Sequence, residues 1–369
     1  MSDSICRWGF LSTAGIGRKN WKGIHLSGNG RVSAVASRSV EKAQEFIDEC
    51  SAEVPQRGEV TAVGSYEELL NREDVDAVYI PLPTGIRKQW VVAAAKAGKH
   101  VLCEKPAAID EQEVQEMVDA CRDAGVQFMD GVMFDHSQRL AKIRKTLDEG
   151  KVVGKLRRIS THFSFSGDAS FQQSNIRTDA ILEPHGCLGD LGWYCIRFTL
   201  WAAGLQMPTR LSARTLTWLS GTDSEGKVPG EFSAELHFPN EVTASFYCSF
   251  LTVNQQTAMV SGDNGYLSVD DFVLPFYDAE ASWTEHQHQL DIDNCRWNFR
   301  RHSDRKAIAE YPSGEPNASE VNMVRRFAEC VNSGELDSFY PDLTLKTQRL
   351  IDACRRSDAE GGALIDIES

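Results

Sequence analysis

Along the first third of the chain, short apolar runs alternate with amphipathic stretches. Residues 5–11, 31–37, 75–80, 99–104 and 126–129 are apolar enough to read as buried strands. The segments between them carry helical spacing. One passes through Lys19, Ile24 and Leu26, and the next begins near Ser39 and sets Ala43, Phe46 and Ile47 on one face. Ser65 followed by Glu68 makes a capping box ahead of Leu69 and Leu70. Residues 88–97 form a further helix, and Asp110 with Glu113 caps one whose inner face is Val114, Met117, Val118 and Cys121. Strand and helix in regular alternation mean βαβ units and a doubly wound parallel sheet, expected over residues 1–128.

Beyond a helix through Leu140, Ile143 and Leu147, the period changes to two. Ile159, Thr161, Phe163 and Phe165 alternate with Ser160, His162 and Ser164. The same rhythm runs through Phe232, Ala234, Leu236 and Phe238, and through Val242, Ala244, Phe246, Cys248 and Phe250. Residues 211–219 and 266–269 add strands. The expectation is an α+β domain over residues 129–369, with a large, mostly antiparallel open sheet covered on one face. Trp218 and Tyr247 fall on the other face, so a homodimer through this sheet is expected. Residues 186–203 interrupt the strands as a helix. It sets Asp190, Tyr194 and Arg197 on one face, with Leu191, Cys195, Phe198 and Ala202 turned toward a core. Residues 280–318 are polar and weakly periodic and read as a long loop. A closing helix from Leu343 to about Arg356 turns Leu350, Ile351 and Cys354 inward, and 363–367 suit an edge strand.

Composition narrows the function classes. A chain of 369 residues fits two domains. A formal net charge of −14 argues against nucleic acid, whose binding needs Lys and Arg to neutralise phosphates. The ten cysteines have no C-x-x-C spacing, which points to reduced thiols in the cytoplasm. No long apolar run precedes Arg7 and none nears about 18 residues, so neither a secretory signal nor a membrane span is expected. His286 and His288 read as a solvated loop; no ligand set completes a metal site around them.

Two places carry chemistry. After the first strand comes Ser12-Thr13-Ala14-Gly15-Ile16-Gly17, in which Ser12, Ala14 and Gly17 occupy the positions of a G-x-G-x-x-G phosphate turn. A second register uses Gly15 and Gly17 but puts Asn20 third. Free N–H groups at the following helix start favour a pyrophosphate; a small-residue turn without a ligand is the competing reading. Twenty residues past Gly17, Ser37-Arg38-Ser39 stands where an NAD site keeps a carboxylate. A guanidinium there suits a 2′-phosphate, so NADP is expected in preference to NAD. The second place is Val101-Leu102-Cys103-Glu104-Lys105-Pro106, a strand ending at its carboxyl edge with an acid and a lysine on the rim. Ligands of open parallel sheets bind at that edge, and a partly desolvated lysine can shuttle a proton.

With Tyr79-Ile80-Pro81-Leu82-Pro83-Thr84, Phe128-Met129-Asp130-Gly131-Val132-Met133 and Gly186-Cys187-Leu188-Gly189-Asp190-Leu191-Gly192-Trp193-Tyr194, the chain resembles the Gfo/Idh/MocA oxidoreductases. The likeness is to their dihydrodiol dehydrogenase and glucose–fructose oxidoreductase branch, fading between about 270 and 320. It implies an N-terminal Rossmann domain, and an enzyme passing hydride between NADP and a hydroxyl or carbonyl carbon of a sugar, polyol or dihydrodiol. Lys105 then matches the catalytic lysine, with Glu104 beside it at the nicotinamide ribose, and the peptide before Pro106 is expected to be cis. Pro81, Leu82, Pro83 and Thr84 match the loop along the cofactor. Arg87 falls at a cofactor-side position where relatives carry histidine. Tyr194 matches the acid/base position, with Asp190 one turn before it, and Arg177 matches a position near the substrate, for which His136 and Arg139 are weaker candidates. Two rival readings are a nucleotide-binding regulator without catalysis and a sugar–sugar oxidoreductase that never releases NADP.

Overall fold

Strands buried on both faces need unbroken apolar runs, and β1 (Cys6–Leu11) is such a run, with only Arg7 partly exposed. It starts a series, in this computed structural model of residues 5–277 and 279–367, that continues with α1 (Gly17–Ser27), β2 (Gly30–Ala36), α2 (Val40–Glu53), β3 (Thr61–Val63) and α3 (Tyr66–Leu70). Then come β4 (Ala77–Ile80), α4 (Thr84–Lys96), β5 (His100–Cys103), α5 (Glu111–Asp123) and β6 (Phe128–Asp130). All six strands are parallel, in the order β3-β2-β1-β4-β5-β6. That is the order of a Rossmann sheet. The Ser65 and Asp110 caps form as expected, accepting from the N–H groups of Glu68 at 3.1 Å and Glu113 at 2.8 Å. β3 escapes the sequence reading because three residues are too few to establish a period.

The chain continues as α6 (Gln138–Glu149), β7 (Leu156–Ser164), α7 (Ala169–Ser174), α8 (Trp193–Ala202), β8 (Arg210–Leu219), β9 (Val228–His237) and β10 (Thr243–Ser249). It goes on through β11 (Gln255–Gly262), β12 (Tyr266–Val269), β13 (Ala281–His286), β14 (Gln289–Asp293), β15 (Arg296–Arg300) and β16 (Ser303–Ile308). It ends with α9 (Ser319–Ser333), α10 (Phe339–Ala359) and β17 (Ile365–Asp366). Nine strands form the second sheet, in the order β16-β13-β12-β11-β7-β10-β9-β8-β17. Only β7 and β10 run parallel; the other pairs are antiparallel. Its covered face presents Ile159, Phe163, Ala244 and Phe246 to α8.

The long loop expected over 280–318 is largely β-structure instead: β13 pairs with β16 and, beyond them, β14 with β15. Strands of five or six residues broken at each end leave too little sequence for alternation to stand out.

Two compact units emerge. The first holds residues 5–136, 181–184 and 313–349; the second holds 137–180, 185–312 except 278, and 350–367. The late return to the first unit is hydrophobic. Met323, Val324, Phe327 and Ala328 of α9 join the core of Trp8, Ile24 and Val32, and the Phe327 ring lies 4.9 Å from that of Trp8.

Candidate active site

In the first unit, residues 12–16 join β1 to α1, which begins at Gly17. Ser12 takes φ +134°, a conformation glycine adopts freely and serine does not, and its hydroxyl accepts from the Ala14 N–H at 3.1 Å. At Gly17 a Cβ would meet the Phe46 ring at 3.1 Å, while Gly15 faces open space. The α1 start, at Ile16, has no side-chain cap and no acid in its first turn, so its dipole suits an anion beside Thr13, Ala14 and Gly15.

Next to this turn is a cavity of about 670 Å³ lined by Ser12, Ser37, Arg38, Ser65, Tyr66 and Trp90 among others. Tyr66 and Trp90 meet edge to face at 4.8 Å and form an aromatic wall. Ser37 is buried, and Ser39 is committed to capping α2 through the Lys42 N–H. Arg38, exposed, is the cation in this lining, close enough to Tyr66 for its charge to lower the phenol against the larger upward push of burial. An adenosine with a phosphorylated ribose fits this donor set: aromatic wall, hydroxyls and one guanidinium.

At the carboxyl edges of β4 and β5, a buried relay holds Glu104. The Asn20 amide donates to the Tyr79 hydroxyl at 2.7 Å, and Tyr79 donates to the Glu104 carboxylate at 2.6 Å. Burial and the adjacent carboxylate push the Tyr79 phenol well up. Gly131 lets the carboxylate lie close, for a Cβ there would come within 3.3 Å of both its oxygens. Lys105, half-buried, follows directly, and its peptide to Pro106 is cis, as the resemblance implied.

Arg87, expected along the cofactor, is buried at 2% exposure and turns to backbone carbonyls. Its Nε donates to Leu82 O at 3.0 Å, Nη2 binds the same oxygen, and Nη1 binds Pro106 O. It therefore ties the Pro81-Leu82-Pro83-Thr84 loop to the segment after Lys105, a task a histidine could not do with so many donors.

Pro83 gives α4 no side-chain cap; Glu183 supplies one from far along the chain, accepting from Thr84 N at 3.1 Å and Oγ1 at 2.6 Å. Gly85 permits this docking, as a Cβ would sit 2.1 Å from Ile181 O. His136 stacks on Tyr340 at 5.3 Å. The sequence reading missed Tyr79, Asn20 and Glu183 as a group, because none of them is a neighbour in sequence of the atoms it serves.

In the second unit, the helix expected from Gly186 forms but is not regular. Residues Leu188–Gly192 make a π-helical turn before α8. A wider turn breaks the assumption of 3.6 residues that set Asp190, Tyr194 and Arg197 on one face. Asp190 pairs with Arg177, Nε to Oδ2 at 2.8 Å, joining two residues assigned separate tasks from the sequence. Tyr194 is 8% exposed, edge-on to Phe163 at 5.7 Å. Arg197 is fully buried over the Trp193 ring, so α8 is buried on nearly every side, not along one face. Arg139, the weaker substrate candidate, is buried against Asp271 in an ion pair.

Residues 6–132 match the model of an oxidoreductase family with an NAD-binding Rossmann fold, and residues 140–268 match the Gfo/Idh/MocA C-terminal domain. A D-xylose 1-dehydrogenase (NADP(+)) of Haloferax volcanii is 31% identical over 368 residues, 98% of this chain and 99% of its own. The chain belongs to the Gfo/Idh/MocA oxidoreductase family. Within it, a trans-1,2-dihydrobenzene-1,2-diol dehydrogenase of Mus musculus is 32% identical over 273 residues, 73% of this chain and 76% of its own. A crystal structure of a 3-ketoreductase from Actinomadura kijaniata, in complex with NADP and TDP-benzene, superposes with a TM-score of 0.77 at 26% identity, covering 96% of this chain and 98% of that one. This Gfo/Idh/MocA member is thus an enzyme, an oxidoreductase acting on CH–OH groups. No helix among the described residues is long and apolar enough to cross a membrane.

Proposed function

We propose that this chain is an NADP-dependent oxidoreductase of a hydroxyl or carbonyl carbon in a sugar, polyol or dihydrodiol. The observation that carries the reading is the rim of β5, where Lys105 follows a glutamate anchored by Tyr79 and precedes a segment clamped by Arg87. NADP supplies the hydride acceptor or donor at C4 of its nicotinamide. Arg38 holds the 2′-phosphate, the 12–17 turn the pyrophosphate, and Glu104 the nicotinamide ribose. Lys105 takes or returns the hydroxyl proton, which only a group within hydrogen-bond reach can do. In the second unit Tyr194 and Asp190, the latter paired with Arg177, orient the substrate hydroxyl. The first unit, to which residues 313–349 return, would serve as the nucleotide domain and the second as the substrate and dimerisation domain of a cytoplasmic homodimer.

The decisive experiment is Lys105→Met with NADP and a panel of sugars, polyols and trans-dihydrodiols. Turnover should fall by at least about two orders of magnitude, the scale of general acid–base catalysis, while NADP affinity stays within threefold. Near-normal rates in Lys105→Met would remove the assignment. Nucleotide extracted from freshly purified protein separates this reading from an enzyme that never releases its cofactor, and inactivity across the panel would favour a silent nucleotide-binding protein.

A further inference from the structure

The arm formed by β14 and β15 carries an apolar face that nothing in its own chain covers. Every residue of both strands is exposed. Leu290 pairs with Phe299 and Ile292 with Trp297, so all four side chains share one face of the ribbon. They are 42%, 69%, 57% and 62% exposed, respectively. The other face is polar, with Asp291 and Arg300 joined in an ion pair. An isolated two-stranded ribbon is marginally stable in water, so a covered apolar face is what would hold it. The arm is nevertheless rooted firmly. β13 and β16 carry the ladder to its base, where Gln287 N donates to His302 O at 3.0 Å, and Tyr266 stacks on His286 at 4.2 Å.

We propose that this arm packs its Leu290, Ile292, Trp297 and Phe299 face onto the body of a second copy of this chain. The inference rests on the dimer proposed above, but not on the catalytic reading. Charge favours a second copy. Residues 287–302 hold three arginines and two aspartates, so the arm is net positive on a chain of formal charge −14. An acidic copy therefore attracts the arm while repelling the rest of the molecule. Area agrees. Each arm offers roughly 400 Å² of apolar surface, judged from about 150–250 Å² per buried aromatic and its present exposure. Two arms, each covering as much again on its partner, bury about 1,600 Å², the size of a stable specific interface. Pairing through the sheet edge is a poor alternative, because β16, the last strand of the sheet, carries Asp304, Arg305 and Lys306.

Sedimentation velocity over a concentration series tests this with the full chain, the double variant Trp297→Ser/Phe299→Ser, and Met259→Glu, at an exposed position of β11 between the buried Ala258 and Val260. The arm variant should weaken dimerisation by about 100-fold or more, as loss of two aromatic anchors does, with NADP binding and melting temperature of the monomer unchanged. Leu290→Ser/Ile292→Ser should act in the same direction, which guards against a folding defect peculiar to the first variant. Dimerisation unaltered in both arm variants overturns the proposal, even if Met259→Glu abolishes it and so upholds the sheet interface. Loss in the arm variants alone supports the arm and removes the sheet interface. A wild-type protein that stays monomeric overturns both. So does a monomer that sediments with phosphatidylglycerol–phosphatidylcholine vesicles and loses this on Trp297→Ser, since the apolar face would then be a lipid contact.

Discussion

Replacing Arg38 by alanine should change which nicotinamide nucleotide this protein prefers. Around the cavity at the end of β2, the hydroxyls are uncharged and two are already engaged: Ser12 accepts from the Ala14 N–H, and Ser65 caps α3. Arg38 is therefore the group able to hold a dianionic 2′-phosphate, and Glu67, also in the lining, would repel one. A hydrogen bond to a charged group contributes about 1.5–3 kcal/mol. Because Arg38 is exposed, screening reduces this toward about 2 kcal/mol, or about 30-fold in affinity. NAD has no phosphate at that position and should lose less than about threefold. Titration calorimetry of wild type and Arg38→Ala with both nucleotides measures the two changes, and repeating it at higher salt should shrink the NADP effect but not the NAD one. Equal losses for the two nucleotides, or a preference ratio that moves by less than twofold, would refute the role given to Arg38.

Tyr79→Phe should destabilise the first unit by about 2 kcal/mol in urea unfolding, because it orphans both the buried Asn20 amide and a Glu104 oxygen. It should also weaken NADP, and that loss should shrink in a Glu104→Gln background; independent, additive effects would show that Tyr79 does not act through Glu104. His100 predicts a pH dependence. Burial holds its imidazole below the ordinary value, the charge of Asp76 opposing more weakly, and Nδ1 accepts from the Gln127 N–H at 2.8 Å. The folded state thus resists protonation that the unfolded state accepts near about pH 6.5. Its contribution is present above that pH and is lost as pH falls toward the lower folded value. Unfolding free energies at pH 7.5 and 5.5 should drop more for wild type than for His100→Asn, and parallel drops would rule His100 out.

Much of the fold can be read from local pattern. Strands buried on both faces must be apolar throughout, so the parallel strands other than β3 announce themselves, as do caps such as Ser65 and Asp110, whose partners lie three residues away. That an arginine stands just past β2, in the lining of the cavity there, is legible for a similar reason: its position is counted along the chain from the turn after β1. The arm at β14 and β15 does leave a trace, Leu290 and Ile292 then Trp297 and Phe299 at alternate positions about a turn, but each strand is too short for the period to compel a reading.

What the sequence settles by itself is the alternation of elements, the change of period past residue 150 and the family motifs. What tertiary structure alone decides is how polar groups far apart in sequence satisfy one another. Glu183 caps α4 from 99 residues beyond Thr84, and Phe327 returns to Trp8. Arg87, which the resemblance sets on the cofactor side, is a buried clamp on the Leu82 and Pro106 carbonyls. Burial favours a partner for each donor and acceptor, but which partner meets which is decided by packing in three dimensions and leaves no period in the chain.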